Sequence, residues 1–471
     1  MRRRAFVPLL LSAVTACAPG RLASPRGALT IAITNVTVID ATGAAPRPLQ
    51  TVLIGDGRVL QISDSRRIRV GRGVRVLDGT GKFLIPGMWD MHVHAWNRQP
   101  FEALYLSHGI VGIREMGTGI DPQWGGEGIW RWREAVRGGS APGPRIFAAG
   151  FILNGGTPDQ QPIAFFKGVT TPEGARRWVD SLAARGADFI KVYSALAPEV
   201  YAAVADRAKE HGLPFAGHVP TRVGVRSVAA AGQRSIEHLY GFLIATSREE
   251  DAVVRELQAV LDTSGSPGAI AQIAETGMTQ RLLDSYSRSK ADSLFASLVA
   301  NKTWVTPTLV TASDPRCAGS PLPLPDSAAL SGVPRMLHGF VELREQSAAS
   351  LATECIRMEA LIQMTRSLHL AGVRLLAGSD APNPGVVPGA GLHSELELLV
   401  RAGLTPLEAL QAATRNAAEY LSLGRTNGTV EAGKAADLVL LDANPLADIR
   451  NTRRIDAVLR NGAVVWTRGE N

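Results

Sequence analysis

From residue 29 the chain alternates apolar and polar positions. LTIAITNVTVID (29–40) carries β-branched residues at period two, which predicts a half-buried strand. Gly55-Asp56-Gly57, between TVLI and RVLQI, predicts a hairpin turn within 51–63, and 73–85 predicts a further strand pair. No helical period appears before about residue 98. The far end reads alike: AADLVLLD (435–442), then RIDAVLRNGAVVW (454–466) with a tight Asn461-Gly462 turn. Both ends are therefore β-rich and could pair into one small sheet domain built from two distant segments.

The middle, about 86–424, follows another rule. Short apolar strands precede long amphipathic helices. The strands are expected at 88–94, 110–115, 145–150, 188–193, 214–218, 234–238, 303–309 and 373–380. Helical stretches such as PEGARRWVDSLAARG (172–186) and PEVYAAVADRAKEHG (198–212) lie between them. Strand–helix alternation repeated eight times predicts a (β/α)8 TIM barrel of the α/β class. Residues 245–300 and 311–350 exceed simple connections and are expected to fold as helical lids over the barrel mouth.

A length of 471 residues fits two or three domains. Hydrophobic residues make up 45% and charged residues 20%, an ordinary globular profile that excludes a disordered, collagen-like or multi-spanning membrane chain. The formal charge of +7 includes Arg2, Arg3 and Arg4, and the other basic residues are scattered, so no nucleic-acid footprint is expected. MRRRAFVPLLLSAVTA (1–16) has a positive start and an apolar run too short to span a bilayer, which reads as a secretory signal. Val14-Thr15-Ala16-Cys17 resembles a bacterial lipobox. The expectation is an exported protein, anchored to a membrane only through lipid on Cys17, with 17–28 as a tether. Plain secretion is the alternative. Three cysteines cannot make a disulfide framework or an all-cysteine zinc site. Cys317 and Cys355 could pair in an oxidising compartment or remain free thiols.

The polar residues of the central strands carry the chemistry. His92 and His94, two apart, point to one side of a strand. Lys191 sits in FIKVY, His218 ends PFAGH, His238 ends SIEH and Asp380 ends LLAGSD. In a barrel those ends converge on one face. Imidazole and carboxylate are good ligands for zinc. Taken singly, each has a plainer explanation: a strand-end histidine is often structural, Asp380 could cap a helix, and Lys191 could snorkel to the surface. Only seven lysines occur in the chain, however, and one among apolar strand residues is costly unless paired or modified.

LIPGMWDMHVH, IKVY, GHV, IEH and GSDAP, in that order, resemble the amidohydrolase superfamily of metal-dependent hydrolases. GPRI (143–146), TPTL (306–309), 392–421 and 428–446 add to the likeness, which covers about residues 30–466. It is greatest to the imidazolonepropionase-like branch, with its Xaa-Pro dipeptidases and ochratoxin-type amidases. The resemblance implies a composite β-sandwich from residues 29–85 and 425–471 flanking a barrel over 86–424. It also implies two divalent metal ions, usually zinc. His92, His94 and Asp380 would hold the more buried ion, His218 and His238 the more exposed one, and Lys191, N-carboxylated, would bridge them. Asp380 would be the catalytic proton shuttle.

Further candidates are less specific. Tyr240 and Tyr193, each two residues after a ligand, and His393 in LHSELELL are candidate substrate contacts. Arg114 in GIREMG matches the family pattern, with Glu115 where the family commonly has Asp, and a structural role is expected. Dipeptidase-like relatives often carry Gly-Gly-His after the third strand. This chain has Gly155-Gly156-Thr157, which argues against a strict Xaa-Pro dipeptidase. The expected function is cleavage of a C–N bond in a dipeptide or N-acyl amino acid. Alternatives are a cyclic amide or lactam hydrolase, an esterase or lactonase, and a non-catalytic lipoprotein. The partner would be a small-molecule substrate, with homo-oligomerisation left open.

Overall fold

A computed structural model describes residues 29–95, 98–118, 128–161, 165–263, 269–322, 333–343 and 345–469. The expected leader, the tether and Cys17 lie outside the described residues. The strands run in chain order as β1 Leu29–Val38, β2 Arg47–Gly55, β3 Arg58–Asp64, β4 Arg75–Asp78 and β5 Phe83–Pro86. The central series follows: β6 Met88–Val93, β7 Ile110–Glu115, β8 Arg145–Ala148, β9 Ile152–Asn154, β10 Phe166–Gly168, β11 Ile190–Val192, β12 Phe215–Gly217, β13 Ser235–Glu237 and β14 Trp304–Thr306. Last come β15 Leu438–Leu441, β16 Ile455–Arg460 and β17 Ala463–Thr467.

The two ends of the chain share one eight-stranded sheet, ordered β17-β16-β15-β5-β1-β2-β3, with β4 also on β1. The hairpin turn at Gly55-Asp56-Gly57 is present, joining antiparallel β2 and β3. The expected strand pair at 73–85 is different in kind. Its strands β4 and β5 each run parallel to β1 along successive parts of one edge, instead of pairing with each other. β1 thus has three strand neighbours, and the strands form a single branched sheet. Alternate residues Ile31, Ile33, Val52, Ile54, Leu438, Leu440, Ala457 and Leu459 close a small core of their own.

The central strands build a TIM-barrel-like α/β fold. β6-β7-β8 form one parallel sheet, and β10-β9-β11-β12-β13-β14 another. β6 and β7 are buried at every position, as parallel strands covered on both faces must be. The expected eighth strand, 373–380, forms only isolated parallel bridges, Val305 with Leu375 and Val93 with Ala381. It is not a regular strand. Gly378 lies so close beneath β6 that a Cβ there would come within 2.9 Å of the His92 nitrogen, and Asp380 takes a left-handed φ of 56°. β9 and β10, three residues each, are too short for periodicity to reveal.

The helices follow their sequence signals. Pro172–Ala184 starts on a Thr171 side chain that accepts from Gly174 N at 3.1 Å, and it buries Ala175, Val179 and Leu182 on one stripe. The long insertions are helical where described. They include Glu250–Thr263, Arg288–Ala300 and the 23-residue helix Ala348–Leu370. Cys317 and Cys355 are joined as a disulfide, with 5.4 Å between their Cα atoms, fastening that helix to the stretch after β14. Among the described residues no helix is long and apolar enough to cross a membrane.

Candidate functional site

The polar strand ends meet at the base of one cavity of about 580 Å³. His94, Lys191, His218, His238 and Asp380 line it, and His92 lies beneath them, fully buried. Asp380 Oδ1 is 3.3 Å from His92 Nε2 and 3.1 Å from His94 Nε2, while Oδ2 is 3.7 Å from His238 Nδ1. The His92 and His238 rings are 4.5 Å apart, and His218 and His238 are 4.7 Å apart. Glycine makes this closeness possible. At Gly217 (φ 140°) a Cβ would sit 2.1 Å from the Val192 carbonyl and 3.1 Å from Lys191 Cδ. Only glycine lets the strand that delivers His218 lie against the one that delivers Lys191.

Each imidazole is held by one nitrogen. His92 Nδ1 is 3.0 Å from Glu237 Oε2, His94 Nδ1 is 3.0 Å from Gly117 O, and His218 Nδ1 is 2.9 Å from Ser194 Oγ. His238 Nδ1 is 2.7 Å from Thr308 Oγ1. A second layer fixes these partners. Arg114, fully buried, donates to both oxygens of Glu237 at 2.9 Å and also to Ser235, Thr306 and the Met91 carbonyl. Glu115 accepts from Gly117 N and Thr118 Oγ1, fixing the turn whose carbonyl faces His94. Outer partners of this kind set ring orientation and ligand basicity in metal sites.

The charge states suit a cation. Burial, then the charge of Lys191, holds His92 and His218 well below the ordinary histidine range, and burial brings His238 down to about 3. All three are neutral donors at pH 7. Burial lowers Lys191 to about 8, against the pull of Glu237 and Asp380. Burial pushes Asp380 upward, but His238, His94 and Lys191 outweigh it and keep it an anion. The test of fit is an orphan pair: His92 Nε2 and Asp380 Oδ1 are buried, close together, and without a hydrogen-bond partner. Two lone-pair donors turned toward each other in a dry site leave each other's need unmet, whereas a cation between them satisfies both. His92, His238 and Asp380 also offer ligand atoms within 4.8 Å of one another.

Tyr193 and Tyr240 line the same cavity, with the Tyr193 ring 4.0 Å from His218 and the Tyr240 ring 5.8 Å from His238. His393 does not. It is buried elsewhere, with Nδ1 2.9 Å from Thr452 Oγ1 and Nε2 3.1 Å from the His108 carbonyl, so both ring nitrogens are engaged in bracing. Its place as a substrate contact is corrected accordingly. Thr157, where relatives resembling dipeptidases carry histidine, receives Gln160 Oε1 at its backbone N–H, 2.9 Å away, in a short helical turn.

Sequence reasoning missed Glu237, Ser194, Thr308 and the upper wall, which includes Met336, Phe340 and Arg357. For Glu237 a signal existed: SIEH places a carboxylate, and GIREMG an arginine beside Glu115, in otherwise apolar strands, which makes Arg114 and Glu237 candidates for a buried pair. The wall residues carried no comparable signal.

The family model described as the amidohydrolase family matches residues 83–465. An imidazolonepropionase of Geobacillus sp. (strain WCH70) is 37% identical over 108 residues, 22% of this chain and 25% of that protein. The chain thus spans about a quarter of the length of such curated relatives. Solved structures match more broadly. A bottromycin amidohydrolase gives a TM-score of 0.68 at 25% identity, over 92% of this chain and 86% of that one. A Xaa-Pro dipeptidase with methionine bound in its active site gives 0.63 at 19% identity, over 93% and 99%, a likeness of fold alone.

Proposed function

Because the chain belongs to the amidohydrolase family, we propose that it is a metal-dependent hydrolase of a carbon–nitrogen bond in a small amide, such as a dipeptide or an N-acyl amino acid. The observation that carries this reading is the orphaned His92 Nε2 facing the orphaned Asp380 Oδ1 at the floor of a cavity of substrate size. His92, His94 and Asp380 would hold one divalent ion, and His218 and His238 a second, with zinc favoured by the nitrogen-rich donor set. Lys191, its amine partly neutral near pH 8, would be N-carboxylated and reach both. Such ions, when bound, ionise water at neutral pH and polarise a carbonyl.

The chain's own groups do the rest. Asp380 is anionic, sits at the cavity floor and can take a proton at its carboxylate and return it to the departing amine. An amide nitrogen leaves only once protonated, so this transfer governs cleavage. Glu237 and Arg114 keep the His92 ring in one orientation, and Ser194 and Thr308 do so for His218 and His238. Phe165, Phe166 and Phe340 give the cavity wall an apolar surface.

The likeness to imidazolonepropionases favours a second reading, hydrolysis of a cyclic amide. Metal analysis of the purified protein, then a panel of dipeptides, N-acyl amino acids and lactams before and after chelation, tests both. We expect bound metal, chelator-sensitive turnover of the linear amides, and an added mass of one CO2 on the Lys191 peptide under mild conditions. A fully folded protein without metal and indifferent to chelators overturns the reading. Export and anchoring at Cys17 remain part of the proposal, supported by the Val14–Cys17 string and by the Cys317–Cys355 pair, since disulfides persist in oxidising compartments. The mass of the mature N-terminal peptide tests that.

A further inference from the structure

Above its floor, the cavity combines aromatic faces with a single guanidinium. On the side of His218 stand aromatic faces: Tyr193 over His218 at 4.0 Å between ring centres, and Phe166 edge-on to Tyr193 at 4.9 Å. Tyr240 stands between the two imidazoles, its ring 5.7 Å from His218 and 5.8 Å from His238, with the guanidinium of Arg357 over it at 5.0 Å. Arg357 comes from the long helix Ala348–Leu370 and opens onto the cavity. Apart from Lys191 at the floor, no described lysine or arginine other than Arg357 lines the cavity. No described carboxylate lies within ion-pair distance of it. The buried Glu275 feels the charge of Arg357 but is itself held by Gly241 N, at 3.0 Å.

A guanidinium over a phenol ring is attracted to its face, and Arg357 also hydrogen-bonds the Tyr240 side chain, so Tyr240 positions it at the cavity. With no described carboxylate at ion-pair distance, it favours a planar carboxylate, which its remaining N–H groups can bind. Resting on the hydrolase reading above, we propose that Arg357 is the carboxylate-recognising residue of the substrate site. The substrate class is then an N-acyl amino acid or dipeptide with a free carboxylate near the scissile bond and an apolar or aromatic group on its other side. The two ends of such a molecule match two features of the cavity: the carboxylate meets Arg357 at Tyr240, and the apolar group meets Tyr193 and Phe166. A neutral or cationic amide lacks the first contact.

The test uses the zinc-loaded full chain and a panel of N-acetyl and N-benzoyl amino acids and dipeptides, each paired with its C-terminal carboxamide. The parent enzyme should favour each acid over its amide in kcat/KM. In Arg357→Met, which keeps the length of the stem and removes the charge, that ratio should fall about 10- to 100-fold, with the change in KM and the melting temperature held. Arg357→Lys, which restores charge without the fork, should recover part of it. A parent with no preference for acids overturns the proposal while leaving amide hydrolysis standing. A variant that loses acids and amides equally does the same, because a merely structural arginine behaves that way. A parent that cleaves no panel member removes the hydrolase reading, and this inference with it.

Discussion

The floor and the upper wall of the cavity are built by opposite means. The floor is made of strand ends. Its histidines come from β6, or from positions directly after β6, β12 and β13, and each ring is fixed by a named partner. The upper wall comes from connections. Phe340 sits on a four-residue helix, Met336 on a single 3-10 turn, and both are 50% exposed. Arg357 rides on a helix tied down by the Cys317–Cys355 bridge. The floor is therefore preorganised by its position on the strand ends and by a hydrogen bond on each ring, whereas the wall depends on a staple and on partial packing. Chemistry needs the first kind of support, and choice of substrate can be changed through the second at little risk to the fold.

Breaking the floor should matter most. Asp380→Asn keeps the shape of the side chain but removes the proton acceptor, so turnover should fall roughly a thousandfold or more while metal, measured by elemental analysis, is largely retained. Near-normal turnover would refute the shuttle. Breaking the staple comes next. Cys317→Ser with Cys355→Ser opens a loop of 38 residues and should cost about 4 kcal/mol of stability in chemical unfolding. The metal content of the folded variant should stay unchanged, because no floor residue depends on that bridge. Metal loss in step with disulfide loss would erase the distinction between the two regions.

Glu237→Gln tests the layer under the floor. It weakens the hold on His92 Nδ1 and should lower zinc affinity about 10- to 100-fold, read by competition with a chelator on folded samples. The smallest effect belongs to the wall: Phe340→Ala, at a half-exposed position, should raise KM about two- to fivefold, and its metal affinity should match the parent's.

The legibility of these regions differed for a physical reason. The motifs GHV, IEH and GSD stand at strand termini, where chain direction alone says which way a side chain will face. Their glycines are forced by backbone contact at Gly217 and Gly378. Arg114 and Glu237 were visible as charges in largely apolar strands, though not as partners. His393 misled because a histidine in a helix has no such directional rule, and in the folded chain its two nitrogens meet His108 and Thr452, 285 and 59 residues away.

The sequence by itself determined the amphipathic alternation, the order of strands and helices, and the residue types that ligate metal, since each follows from local periodicity or from donor chemistry. Tertiary structure alone decided that β4 and β5 share an edge of β1, that Cys317 and Cys355 pair, and that Arg357 reaches the cavity beside Tyr240. These depend on how segments far apart in the chain pack together, and no local pattern of residues encodes the distance between them.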